Sequence, residues 1–142
     1  MSICTVFGHR ECPESIKPKL VSVLKDLIEN HGVNIFYLGH QGTFDSIALS
    51  VLKDLTREYP HVKYAVVLEK LPTRKEIFSC DTLFPEELEN VHPRFAVSRR
   101  NLWMLSQAEY VVTYITHSWG GAAQFAEKAE KQHKIAINLA HI

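Results

Sequence analysis

The sequence lacks an excess of charge of either sign, because its 16 lysines and arginines balance 16 aspartates and glutamates over 142 residues. A chain with this balance has no bulk positive field that would attract nucleic acid or an anionic membrane surface. We therefore expect no nucleic-acid partner. Any anion that the protein binds must be held by a local group of donors.

Cysteine is scarce as well, with only Cys4, Cys12 and Cys80 in the chain. Three scattered cysteines are too few for a disulfide framework, and no Cys-x-x-Cys or His/Cys cluster has the spacing of zinc ligands. This composition favours a reducing, cytoplasmic environment and predicts no metal site.

Long apolar runs are missing from the whole sequence. The amino terminus, MSICTVFGHREC, has no positive segment followed by a long apolar stretch. No run elsewhere approaches the roughly 18 apolar residues that a membrane-spanning helix needs. We expect neither secretion nor membrane insertion.

What the sequence does contain is an alternation of short, β-prone apolar runs with longer segments of helical period. A chain of 142 residues is the size of one domain, so we expect a single domain over residues 1–142. The apolar runs predict five strands, near residues 3–7, 33–38, 62–68, 110–116 and 135–139. Apolar side chains on both faces of these runs favour a mainly parallel sheet covered by helices on both sides. The predicted class is therefore α/β.

The helical segments lie between these runs. Apolar residues recur with helical spacing from Ile16 to Ile28 and from Phe44 to Leu55, and further helices are predicted at 95–108 and 122–132. Residues 69–94 show no sustained period and predict an irregular excursion. Such a stretch can be a lid, an interface or a surface insertion without a role, and the sequence does not choose among them.

Glycines cluster where predicted strands give way to predicted helices: Gly8, Gly39, Gly42, Gly120 and Gly121. In open α/β folds, ligands bind outside the carboxyl ends of the strands, where a glycine lets the backbone approach a phosphate and the next helix supplies N–H donors. These loops predict a phosphate-binding pocket. The alternative is that the glycines only make tight turns.

Polar residues in the same loops suit a phosphorylated sugar ligand, since arginine can bind phosphate through two parallel hydrogen bonds. The candidate ligand-binding residues are Gly8, His9, Arg10, Gly39, Gln41, Gly42, Thr43, Asp45, Arg99, Arg100, Thr116, His117, Ser118, Trp119, Gly120 and Gly121. Arg99 and Arg100 lie about 100° apart on a helix, so at most one of them is expected to reach the pocket. Trp119 is a candidate for stacking on a base.

The ordered segments TVFGHR, YLGHQGTFD, SRRNLWM and YVVTYITHSWGGAAQFAE resemble the SLOG superfamily of Rossmann-like domains, which includes LOG enzymes, DprA-like proteins and small proteins of the YpsA type. The resemblance covers nearly the whole chain. It implies a three-layer α/β domain that binds nucleotides or their derivatives, often as an oligomer. We therefore expect a nucleotide-like small molecule as the partner, no additional cofactor, and self-association.

LOG enzymes are phosphoribohydrolases with an Arg in an Arg-Lys-x-x-Met helix and a Glu after a Gly-Gly-x-Gly-Thr-x-x-Glu loop. The resemblance therefore implies these two residues as candidates for catalysis here. Arg100 matches the first element, and Glu127 matches the acid when the first glycines are aligned. Alignment on the second glycine instead places Gln124 there, and a glutamine lacks the charge that stabilises an oxocarbenium-like state.

The strand-end loops and the resemblance leave two functions open. The first is a sensor or sequestering protein that binds a phosphate-bearing nucleotide derivative, such as an ADP-ribose-like molecule or a nucleoside phosphate. The second is a phosphoribohydrolase that uses Arg100 and Glu127, with Asp45 as a further carboxylate. In either case we expect Arg10, Arg100 and the amides around Gly120 and Gly121 to converge on one phosphate-sized position.

Overall fold

The computed structural model describes residues 2–72, 78 and 80–142. Its strands are β1 (Ser2–Gly8), β2 (Val33–Leu38), β3 (Lys63–Val67), β4 (Thr82–Leu83), β5 (Tyr110–Tyr114) and β6 (Ile135–Asn138). Its α-helices are α1 (Lys17–His31), α2 (Gly42–Glu58), α3 (Ala96–Gln107) and α4 (Gly121–Lys131). The predicted α/β class is confirmed.

All strands belong to one parallel sheet in the order β4-β3-β2-β1-β5-β6. The prediction of five strands is wrong, because the described part of the chain has six. The missed strand, β4, pairs Thr82 with Val66 and Leu83 with Val67. Two residues are too few to produce a periodic pattern, so this strand was hidden in the stretch predicted to be irregular.

The sheet carries helices on both faces, as the sequence predicted. Along β1, Cys4 and Val6 join the large apolar core with α1 and α2, whereas Phe7 joins Leu105 of α3 and Phe125 of α4. Because successive residues of a strand point to opposite faces, this alternation places α1 and α2 on one side and α3 and α4 on the other. The arrangement is that of a Rossmann-like α/β fold.

The described residues of the connection after β3 are mostly irregular. They include β4 and two single-turn 3₁₀ helices, Glu86–Leu88 and Pro93–Phe95. The expectation for residues 73–77 and 79 lies outside the described residues. None of the helices in the described ranges combines the length and the apolarity needed to cross a membrane.

Helix α3 begins and ends close to the predicted bounds, but its apolar residues divide between core and surface. Met104 and Leu105 are buried, whereas Val97 is 40% exposed and the preceding Phe95 is 53% exposed. The expected self-association stays a prediction.

A change of chain direction marks one position in the sheet. From β1 the chain proceeds through β2 and β3 to one edge, and from β5 it proceeds to β6 at the other edge. The loops that follow β1 and β5 therefore diverge and leave a crevice between them at the carboxyl edge. In open α/β sheets this is the usual place of ligand binding.

Candidate functional site

A cleft of about 640 Å³ lies at the carboxyl ends of β1 and β5. The sequence-predicted residues that line it are Gly8, His9, Arg10, Gly39, Gln41, Asp45, Arg100, Thr116, His117, Trp119, Gly120 and Gly121. Helix α3 adds Val97, Asn101 and Met104 to one wall. The fold thus brings residues from the loops after β1, β2 and β5 and from helices α2, α3 and α4 to a single cavity.

The other predicted site residues lie elsewhere. Arg99 is exposed and does not line the cleft, whereas Ser118 and Glu127 line a second cavity of about 440 Å³ beside α4 and β6. Glu127 pairs with Lys131 one helical turn away at 3.3 Å, and its side chain is 66% exposed. Arg100 and Glu127, the residues named for the hydrolase alternative, therefore line different cavities.

Gly42 and Thr43 support the cleft from behind. The N–H of Thr43 donates to the carbonyl oxygen of Arg10 at 2.7 Å, and Gly42 has a φ of 88°. A Cβ at Gly42 would lie 2.6 Å from the Cα of Arg10, so only glycine permits this approach. The start of α2 consequently fixes the backbone from which the Arg10 side chain projects.

The start of α4 forms one end of the cleft. Its N-cap, Gly120, has no side-chain hydrogen bond that caps the helix, and a Cβ at Gly120 or Gly121 would meet open space. The first N–H groups of a helix have no partner within the helix, and they carry the positive end of its dipole. Arg10, which is exposed and whose side chain has no ion pair or hydrogen bond among the described residues, lines the same cleft. This end is suited to an anion.

Three aromatic rings form a continuous stack on one wall. The rings of His9 and His117 are 3.6 Å apart at 13°, and those of His117 and Trp119 are 3.8 Å apart at 21°. His9 is buried at the inner end of the stack, whereas Trp119 is 69% exposed at the outer end. One face of the indole is therefore covered by His117 and the other is accessible.

The tautomer of His9 follows from one hydrogen bond. Its Nε2 accepts the backbone N–H of Thr116 at 3.0 Å, so the neutral ring carries its proton on Nδ1. Burial lowers the pKa of His9, and His117 lowers it further by charge repulsion. His9 thus presents a neutral ring to the cleft.

Arg100 lies at the floor of the cleft and is only 2% exposed. Its guanidinium donates to Asn101 Oδ1 at 2.7 Å, to the Val67 carbonyl at 3.1 Å, to Glu69 Oε2 at 3.5 Å and to Gln41 Oε1 at 2.6 Å. Burial lowers the pKa of Arg100, against the opposing effect of Asp45 and Glu69. Acceptors in the described residues use four of its five N–H groups.

Two carboxylates flank Arg100, and their environments move their pKa values in opposite directions. Burial raises the pKa of Asp45 to about 6, although the Gln41 N–H, Arg100 and His40 favour the charged form. Burial alone would raise the pKa of Glu69, but a backbone N–H, His40 at 2.8 Å and Arg100 outweigh it and lower that pKa. Glu69 is thus the ionised partner of Arg100, and Asp45 is the group that exchanges a proton near neutrality.

Glu69, His40 and Asn101 take part in the contacts around Arg100, but they were not among the residues predicted from the sequence. Glu69 could have been found, because it comes directly after a predicted strand, as the other loop residues do. Asn101 follows Arg100 in the SRRNLWM segment, but no spacing rule distinguishes it from an exposed helix residue.

No protein-family model matches the chain, and no curated protein matches it.

Proposed function

We propose that this domain binds a phosphate-bearing, nucleotide-like small molecule, such as a nucleoside phosphate or an ADP-ribose-like compound, and acts as a sensor or sequestering protein of the SLOG type. The observation that carries the proposal is that the uncapped start of α4 at Gly120–Gly121 shares a cleft at the β1/β5 crevice with Arg10, whose side chain has no partner in the described part of the chain. Backbone amides at a helix start and a guanidinium together are a common phosphate site.

The rest of the cleft fits such a ligand. Its volume of about 640 Å³ lies within the range of small-molecule sites, and one face of Trp119 is free to stack on a base. Arg100 was expected to bind phosphate as well, but four of its N–H groups already donate to protein acceptors. The proposal therefore assigns the phosphate to Arg10 and the α4 amides.

Cleavage of the ligand by a phosphoribohydrolase reaction is the second candidate, and one observation favours it: Asp45 lines the cleft with a pKa raised to about 6. A carboxyl group poised near neutrality suits proton transfer. Binding without cleavage is preferred because Glu127, the acid that the resemblance would supply, lines the other cavity and pairs with Lys131.

The test is calorimetric titration with adenosine 5′-monophosphate and ADP-ribose, using Arg10→Ala and the matched control Arg57→Ala. Arg57 is 81% exposed near the end of α2, away from the cleft residues. A charge-assisted hydrogen bond to phosphate is worth about 1.5 to 3 kcal/mol, so Arg10→Ala should weaken binding about tenfold to a hundredfold. Arg57→Ala should stay within about twofold of the parent.

Chromatography of the incubated nucleotide separates the two candidates. Recovery of unchanged nucleotide supports binding, and release of free base supports the hydrolase. Absence of binding to both nucleotides, or equal affinities for parent and Arg10→Ala, contradicts the proposed site.

Self-association belongs to the same proposal, because Phe95 and Val97 are exposed near the start of α3, and Val97 also lines the cleft. We expect light scattering at micromolar concentration to give a mass above that of one 16.2 kDa chain. A monomer under these conditions contradicts this part of the proposal.

A further inference from the structure

Asp45 is a buried acid at the floor of the cleft, and the proposed phosphate site does not use it. Asp45 is only 8% exposed, and it lines the cleft. Oδ2 accepts the backbone N–H of Gln41 at 2.8 Å, which closes the start of α2. Oδ1 has no hydrogen-bond partner in the part of the chain that the structure describes, so it is available to a ligand.

Gln41 connects this acid to Arg100. Its backbone N–H donates to Asp45, while its side-chain Oε1 accepts from the Arg100 guanidinium at 2.6 Å. The remaining N–H of Arg100 is on the same nitrogen that donates to Gln41, because Nε and both hydrogens of the other nitrogen go to Asn101, Val67 and Glu69. Gln41 thus bonds both to Asp45, whose Oδ1 is a free acceptor in the described structure, and to Arg100, which keeps one free N–H donor there.

The charges around this pair restrict what can bind there. A second phosphate would be repelled by Asp45 and Glu69, and a ligand cation has no acceptor for the remaining N–H of Arg100 and would leave it unpaired. A neutral group that both donates and accepts hydrogen bonds satisfies the pair without adding charge. Hydroxyl groups have this property, and two adjacent hydroxyls can use the acceptor and the donor together.

We infer that Asp45 and Arg100, joined by Gln41, form a subsite for the vicinal hydroxyls of a pentose. The inference rests on the proposed function, because the phosphate at Arg10 and α4 anchors the other end of the same sugar. It narrows the ligand class to ribose phosphates and ribonucleotides and excludes their deoxy counterparts as preferred ligands.

The test compares matched ligand pairs by calorimetry on the full chain: ribose 5-phosphate against 2-deoxyribose 5-phosphate, and adenosine 5′-monophosphate against its 2′-deoxy form. Loss of a hydrogen bond to a charged group should weaken binding of each deoxy ligand about tenfold or more. Affinities within twofold for both pairs overturn the subsite while leaving the phosphate site standing. If none of the four ligands binds, the proposed function fails and the subsite fails with it.

Asp45→Asn identifies the residue responsible. The amide can still accept the Gln41 N–H, but it presents a donor where Oδ1 was an acceptor, so the preference for the ribose form should fall below threefold. The control is Asp54→Asn on the same helix, where the side chain is 66% exposed, and it should keep the parent's preference. An unchanged preference in Asp45→Asn overturns the assignment. If this variant does not fold, the affinities of the parent protein for the two matched ligand pairs still test the subsite.

Discussion

The guanidinium of Arg100 lies against the backbone of Gly39. A Cβ built at Gly39 would come within 3.0 to 3.1 Å of three guanidinium atoms, which is closer than an ordinary van der Waals contact. Gly39 follows β2, whereas Arg100 lies in α3, and both residues line the cleft. The absence of a side chain at Gly39 is therefore what lets a buried arginine occupy the floor of the cleft.

Gly39→Ala should destabilise the protein by about 1 to 3 kcal/mol, the usual cost of inserting a methyl group into a well-packed position. Arg100 cannot easily withdraw, because it is held by Gln41 and the Val67 carbonyl. Urea denaturation measures the effect. The control is Gly121→Ala, where an added Cβ meets nothing within 4 Å and the residue starts a helix. Equal stabilities of Gly39→Ala and Gly121→Ala would show that the Arg100 guanidinium can move away from residue 39 at little cost in free energy.

Asp45→Asn should change how stability depends on pH. Burial raises the pKa of Asp45 from 3.8 in the unfolded chain to about 6, so the folded state holds a proton that the unfolded state releases. The parent therefore loses stability as pH rises from about 4 to about 6, by up to about 3 kcal/mol. The variant does not titrate at this position, so its stability relative to the parent should increase over that window and then stay constant.

Urea denaturation of parent and variant at pH 4 and pH 7 checks this sign. Asp54→Asn makes the same chemical change at an exposed position of α2, and we expect it to alter stability by less than about 0.5 kcal/mol at both pH values. A parent-to-variant difference that does not move between the two pH values would mean that Asp45 is not a proton-holding group.

The sequence predicted which loops line the cleft better than it predicted the contacts inside it. Strand-end glycines were enough to place Gly8, Gly39 and Gly120 at one edge, because the carboxyl ends of parallel strands meet there. The hydrogen bonds of the Arg100 side chain could not be predicted from the sequence, since two of its acceptors belong to Val67 and Gln41, which no local pattern relates to α3. The same holds for the stack of His9 on His117, which exists because Gly8 is paired with Tyr114 in the sheet register.

His9 should titrate below the ordinary histidine pKa of 6.5, because burial and His117 both disfavour its charged form. NMR of the imidazole nitrogens across a pH series measures this pKa and should also show the proton on Nδ1, since Nε2 accepts from Thr116. His117→Gln removes the repelling ring, so the pKa of His9 should rise in that variant. A proton on Nε2 in the neutral ring would contradict the hydrogen bond to Thr116.

Trp119 should report ligand binding through its fluorescence. The chain has two tryptophans, and only Trp119 lines the cleft, with one face on His117 and the other accessible; Trp103 instead packs against Tyr37 with ring centroids 5.4 Å apart. A base that stacks on the accessible face of Trp119 should quench its emission when adenosine 5′-monophosphate is added. Trp119→Phe should abolish the quenching, and Trp103→Phe should retain it.

The affinity for adenosine 5′-monophosphate should also depend on stacking of its base on Trp119. Stacking of a base on an aromatic side chain is worth about 1 to 3 kcal/mol, so Trp119→Ala should weaken binding about fivefold to a hundredfold. Ribose 5-phosphate has no base, so its affinity should change by less than about twofold in the same variant. This contrast separates stacking from a general disturbance of the loop, because collapse of the Gly120–Gly121 start of α4 would weaken both ligands alike. Equal losses for the two ligands would place the base somewhere other than on Trp119.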